Sequence, residues 1–136
     1  MNPKIYEKTV LVGSDDIDFN GHVNNLKYLE WMINAAMEHS AHEGFGVEYY
    51  KTHGVSWVAR KHCVEYRLPA FEGDELVLKT WIDEVKKLLV IRKYEIYKNS
   101  KLITYGFSEW VFVDFKTQRP KKVPEDIIEK FFEKTI

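Results

Sequence analysis

One segment, Ser14 to Trp31, carries most of the functional information of this chain. Asp15, Asp16 and Asp18 precede Gly21, His22, Asn24 and Asn25, and an apolar helical pattern begins at once. A carboxylate beside the free N–H groups of a helix start is suited to acyl transfer: the acid or its water attacks the carbonyl, and the amides receive the charge that develops on oxygen. Asp18 is the candidate for the first task. It can deprotonate a water, or attack directly to give a mixed anhydride that water then cleaves, and the residues leave both routes open. An aspartate here can instead do no more than hydrogen-bond its own turn.

The neighbours of Asp18 divide the remaining work. Gly21 gives the backbone a conformation or a close approach that a side chain would forbid. Asn24 is a good N-cap, which makes Asn25 the first helical residue and leaves its N–H among the unpaired donors of the first turn. The partial positive charge there, about half an electron, favours an oxyanion. His22 is a candidate for orienting Asp18 or for binding the carbonyl, set against a purely structural role.

Two rival sites are weaker. Cys63 follows His62 in a predicted strand, so the two side chains point to opposite faces and form no nucleophile–base couple. His39 and His42 lie three apart with Glu38 and Glu43 beside them, without the spacing of a zinc motif. The expectation there is a solvated helix end whose dipole suits histidine, with no metal and no cofactor.

The rest of the chain must position this segment. Its 136 residues suffice for one domain, 1–136, with one sizeable core. A hydrophobic fraction of 45% and an aromatic fraction of 15% indicate a packed globule. A formal net charge of −1 gives no electrostatic case for nucleic acid. The lone cysteine excludes an intrachain disulfide, and neither a signal sequence nor a membrane-length apolar run is evident, so a cytoplasmic protein is expected.

Ile5 to Val12 reads as a first strand. Asn25 to His42 reads as a helix, with Leu26, Leu29, Met32 or Ile33, Ala36, Met37 and Ser40 on one stripe and Tyr28, Trp31 and Ala35 on a second. So broad an apolar surface predicts a helix wrapped by something else. Gly44 and Gly46 mark its exit, and a loop runs through His53-Gly54. Val58, Arg60, His62, Val64, Tyr66 and Leu68 alternate as one face of a strand, and Leu76–Val85, Leu88–Tyr97 and Leu102–Phe115 follow with short turns, as in an antiparallel meander. Glu125 to Lys134 reads as a short closing helix. The prediction is an α+β chain with a sheet curled round one long helix.

The run Asp16-Ile17-Asp18-Phe19-Asn20-Gly21-His22-Val23-Asn24-Asn25, with Tyr28 three residues on, resembles the site segment of single hotdog-fold thioesterases of the 4-hydroxybenzoyl-CoA thioesterase-like, long-chain acyl-CoA group. Tyr66-Arg67-Leu68-Pro69-Ala70 with Gly73-Asp74-Glu75-Leu76, and the Arg119-Pro120 and Val123-Pro124 pairs, extend the resemblance over nearly the whole chain. It implies a five-stranded antiparallel sheet around a central helix, and a homodimer joined edge to edge, with a dimer of dimers as the larger alternative. It implies an acyl-CoA substrate, Asp18 as the catalytic carboxylate, and a pocket shared across the dimer in which residues near Val55 to Arg60 face the partner. A thiol leaving group, with a pKa near about 8.5, needs little protonation, which favours a supporting role for His22.

The segment Asp18-Phe19-Asn20-Gly21-His22 is also similar to the Asp-x-Asn-x-His element of acyl-ACP thioesterases, which brings in Asn20 and an acyl-ACP substrate. The downstream Glu-Cys pair of that group falls on Pro69-Ala70 here. Hotdog hydratases resemble Asp-x-Asn-Pro-x-His, but Gly21 stands at the proline and His22 comes one residue early; a non-catalytic acyl-thioester-binding protein is the remaining alternative. The substrate-contact candidates are Asn20, Gly21, Asn24, Tyr28, Trp57 and Arg60, with Phe19, Trp31 and Met32 as further acyl walls. Arg60, Lys61, Arg119, Lys121 and Lys122 are candidates for the phosphates of coenzyme A, or else ordinary solvated charges.

Overall fold

A computed structural model describes residues 2–134. The strands β1 (Tyr6–Leu11), β2 (Val55–Tyr66), β3 (Glu75–Val85), β4 (Leu89–Lys98) and β5 (Lys101–Asp114) form one antiparallel sheet in the order β1-β3-β4-β5-β2. The helix α1 (Asn25–His42) lies on its concave face, with α2 (Val47–His53) and α3 (Glu125–Lys130) beside it. This is the α+β hotdog arrangement expected from the sequence. No helix among the described residues is long and apolar enough to cross a membrane.

Alternation builds the sheet's inner face. Leu76, Leu78, Thr80 and Ile82 of β3 and Val90, Arg92, Tyr94 and Ile96 of β4 all point inward and are buried. One cluster joins Tyr28, Met32, Ala35 and Ala36 of α1 to Leu76, Leu78, Tyr94 and Ile96. A second joins Phe45, Ile82, Val90 and Phe112 to Ile127 and Phe131. Burying a side chain of this size contributes roughly 1.5–3 kcal/mol.

Four expectations need correction. First, α1 buries Tyr28, Met32, Ala35, Ala36 and His39, while Leu26 and Met37 of the first stripe are exposed. Lys27, Glu30, Asn34 and Glu38 form one polar stripe at helical spacing, the buried residues lie across the helix from it, and Leu26 and Met37 flank the polar stripe. Second, Val47–His53 is a helix, capped by Gly54 in the left-handed region at φ 64°, where a loop was expected. Third, α3 ends at Lys130, and Phe131 and Phe132 turn inward to close the second cluster. Fourth, the register of β2 against β5 slips between Ala59 and Lys61. The extra residue, Arg60, is a β-bulge and reverses the facing of the strand, so Val58 and His62 do not share a face.

β2 and β5 approach too closely at one point to admit a side chain. A Cβ on Gly106 would stand 2.3 Å from the Cys63 carbonyl oxygen. Among the described residues the sheet stops at β2, leaving a strand of 12 residues as an edge.

Candidate active site

The segment between β1 and α1 is fixed by backbone bonds. A 3₁₀ turn at Ser14–Asp16 is closed by Asp16 Oδ2 accepting from Gly13 N at 2.9 Å. Asp18 N donates to the His22 carbonyl at 3.1 Å, and Gly21 N donates to the Asp18 carbonyl at 3.0 Å. Gly21 sits at φ 85°, a conformation that a side chain would strain. Val23 N donates to the Ala70 carbonyl, and Asn24 N to the Asp16 carbonyl at 2.8 Å, which pins the entrance of the helix.

Asn24 then caps α1. Its Oδ1 accepts from Leu26 N at 3.0 Å and its carbonyl accepts from Lys27 N at 2.9 Å. The N–H of Asn25, one residue before these two satisfied donors, has no hydrogen-bond partner among the described residues. A notch of about 190 Å³ opens at this helix start, lined by His22, Asn25, Tyr28, Tyr66, Arg67, Leu68 and Pro69. Tyr66 Oη donates to the Asn25 carbonyl at 3.0 Å. Tyr28 is buried edge-on against Trp31 and Tyr66, and burial raises its phenol above the ordinary tyrosine range. His22 is half-buried, its Nδ1 3.3 Å from the Val23 carbonyl.

Asp18 is half-buried on the turn just before this notch and does not line it. Its Oδ1 accepts from Asn20 N at 2.9 Å, the local turn bond that the alternative reading of this aspartate assigns to it. Its Oδ2 has no partner among the described residues. One oxygen therefore orients the carboxylate and leaves the other available.

The chain does not bring Trp57 and Arg60 to this place. About 30 Å of strand separates Trp57 from Tyr66, and Trp57 instead lines a cavity of about 700 Å³ near the other end of α1. Its indole N–H donates to Tyr50 Oη at 3.0 Å. Arg60 turns outward at the bulge, where its Nε meets Glu109 Oε1 at 2.7 Å and holds that carboxyl below the usual range. Of the further acyl walls, Met32 is buried, Trp31 is half-buried, and Phe19 is 98% exposed at the tip of the turn.

The rival sites are also resolved. Cys63 is exposed, and His62 turns the other way to place Nδ1 2.7 Å from Ser108 Oγ. His39 is not part of a solvated helix end. It is 1% exposed, stacked on Tyr6, with Nδ1 2.9 Å from Arg92 Nη1, while His42 stays outside beside Glu43. Burial, then Arg92, press the His39 pKa down to about 3. Arg92 was absent from the residues singled out by sequence. The signal was a lone cation on the inward phase of Val90-x-Arg92-x-Tyr94-x-Ile96.

The acyl-ACP thioesterase N-terminal domain family matches residues 3–131. The chain belongs to that family. Long-chain acyl-CoA thioesterase FadM of Escherichia coli (strain K12) is 22% identical over 116 residues, 84% of this chain and 87% of FadM. An acyl-ACP thioesterase from Bacteroides thetaiotaomicron superposes with a TM-score of 0.86 at 20% identity, over 96% of this chain and 54% of its own. DHNA-CoA thioesterase from Staphylococcus aureus superposes with a TM-score of 0.84 at 21% identity, over 93% and 88%. This member of the family thus spans about half of the Bacteroides chain and most of the other two. The sequence similarity to acyl-ACP thioesterases and that to acyl-CoA thioesterases both have counterparts among these relatives.

Proposed function

We propose that the protein is a thioester hydrolase that releases a free acid and a thiol from acyl-CoA, with acyl-ACP as the alternative carrier. In this reading the thioester carbonyl points at the Asn25 N–H, and the free Oδ2 of Asp18 activates water or attacks the carbonyl carbon. Negative charge then forms on the carbonyl oxygen, where the backbone donor and the helix dipole stabilise it; one such donor is typically worth roughly a hundred- to thousandfold in rate. The thiolate leaves without a strong acid, and His22 serves as a hydrogen-bonding support. Asn20, Gly21 and Asn24 hold the turn and cap in place, and Tyr28 walls the notch. The observation that carries this reading is the unpaired Asn25 N–H at a capped helix start, one turn from a carboxylate with a free oxygen.

The unpaired edge of β2 supports a homodimer, because a long bare edge strand invites another strand. Antiparallel pairing of β2 with its copy lays the Val55 end of one strand beside the Tyr66 end of the other. The partner's Trp57 and its 700 Å³ cavity would then complete the acyl site at this chain's helix start, and the exposed Phe19 would be covered. A dimer of dimers is compatible with the exposed Leu26 and Met37.

Thiol release from acyl-CoA substrates of varied chain length tests the proposal, with acyl-ACP in parallel. Asp18→Asn should lose activity by at least about a hundredfold while keeping its melting temperature and size in solution. Turnover at the wild-type rate in that variant would remove Asp18 from the mechanism.

A further inference from the structure

The larger cavity contains a cation with no counter-charge among the described residues. Arg92 is 4% exposed and lines the floor of a space of about 700 Å³ walled by Val55, Val90, Trp110 and Phe131. Its Nη1 donates to His39 Nδ1 at 2.9 Å and to Thr80 Oγ1 at 3.1 Å. Both partners are neutral, since His39 titrates near pH 3. Glu38, also on the cavity wall, is occupied by Lys8 at 2.6 Å and Tyr6 at 3.1 Å. Among the described residues Arg92 has no acidic partner, and its Nε and Nη2 make no hydrogen bond. Thr104 Oγ1 is the one sealed side-chain polar atom without a partner among them. The free nitrogens of Arg92 therefore face the cavity rather than packed protein.

A buried guanidinium without a counter-charge is costly, and an apolar residue of similar volume would stabilise this fold at least as well. Burial lowers the Arg92 pKa only to about 10, so the side chain stays cationic at neutral pH. A fork of two free N–H groups matches the two oxygens of a carboxylate. A volume of about 700 Å³ lies in the range of small-molecule pockets.

We infer that this cavity receives an apolar chain ending in a carboxylate, which Arg92 binds at the cavity floor. Two sources share that chemistry: a free long-chain or aryl acid, and an acyl thioester with a second carboxylate at its far end. The second source rests on the thioesterase reading; the first does not.

The two arms separate them. Trp57 and Trp110 line the cavity, so their fluorescence reports binding of straight-chain acids and of the matching methyl esters. The acid should bind about ten- to hundredfold more tightly than its ester, as a charge-assisted hydrogen-bonded pair provides. Arg92→Met should erase the difference and Arg92→Lys should keep part of it. Equal affinity for acid and ester in the unaltered protein overturns the inference, whether or not the variants fold. So does an acid preference that survives in Arg92→Met. In the second arm, kcat/KM for ω-carboxyacyl-CoA is compared with that for acyl-CoA of equal length. Preference for the ω-carboxylate by tenfold or more, reversed in Arg92→Met, assigns the substrate as the source; the opposite preference, beside an acid-selective first arm, assigns the free acid. Absence of thiol release from every thioester would sink the hydrolase reading and leave the acid–ester comparison to decide this one.

Discussion

Asn24 allows the role of the helix start to be separated from its stability. Its Oδ1 satisfies Leu26 N at 3.0 Å, and an aspartate at the same position would cap equally well. Asn24→Asp should therefore melt no lower than the wild type, and the new charge near the positive end of α1 can add about 0.3–1 kcal/mol. The effect on rate should run the other way. With the Asn24 side chain on Leu26 N and an oxyanion on the adjacent Asn25 N–H, hydrogen-bond lengths and backbone spacing place the two charges on the order of 6 Å apart at most. With an effective dielectric between about 20 and 80 at this half-exposed site, repulsion raises the barrier by about 0.7–3 kcal/mol. That is about a three- to hundredfold loss of kcat. Asn24→Ala supplies the contrast: it loses the cap, should cost about 1 kcal/mol of stability, and introduces no charge. Thermal unfolding and steady-state thiol release, measured on both variants, decide the matter. If Asn24→Asp is as stable as the wild type and equally fast, no oxyanion forms at Asn25 and the proposed geometry is wrong.

Two further outcomes follow from the packing. Gly106→Ala should destabilise the protein by about 1–3 kcal/mol, because the new methyl collides with the Cys63 carbonyl and pushes β2 from β5; a urea midpoint matching the wild type would contradict the observed close approach. His39 is neutral in the folded chain, with a pKa of about 3 against about 6.5 when unfolded. The unfolded state thus binds the proton first, and stability is full above pH 6.5 and falls as pH drops towards 3, by at most about 1.4 kcal/mol per unit. Urea midpoints measured across that window should slope less in His39→Gln, and identical slopes would show that His39 is not held neutral.

The residues that were legible are those whose local chemistry decides their structure. Asn24 before an apolar run can do little other than cap it, and the cap forms with α1 starting at Asn25. Gly21 adopts the positive φ that only a glycine takes easily. The strands β3, β4 and β5 fall within a residue or two of their predicted limits because turns and prolines punctuate them. What could not be read depends on contacts far apart in sequence. Nothing around Arg60 announces a bulge; the slip arises where β2 must match β5, and it reverses the face on which Val58 stands relative to His62. Val47–His53 is too short for a helical pattern to outweigh its two tyrosines, and the edge-on packing of Tyr49 against Phe45 supplies what propensity does not.

Leu26, Met37 and Phe19 fit the apolar pattern of the sequence, yet each is more than half exposed in a single chain. They lie on the helix that starts the candidate site and on the turn that precedes it, next to a sheet whose long edge is bare. A chain that kept these residues for its own core would have turned them inward, as it did Met32 and Ala35. Sequence periodicity reports that a side chain needs covering and is silent about which chain covers it. The same division applies to the site: His22, Asn25 and Tyr28 meet within one chain, whereas Trp57 and Arg60 would meet them only across β2. If size measurements showed a monomer at catalytic concentrations with full thiol release, the acyl cavity would have to be reached from within one chain. The proposed sharing of the site would then fail even with Asp18 intact.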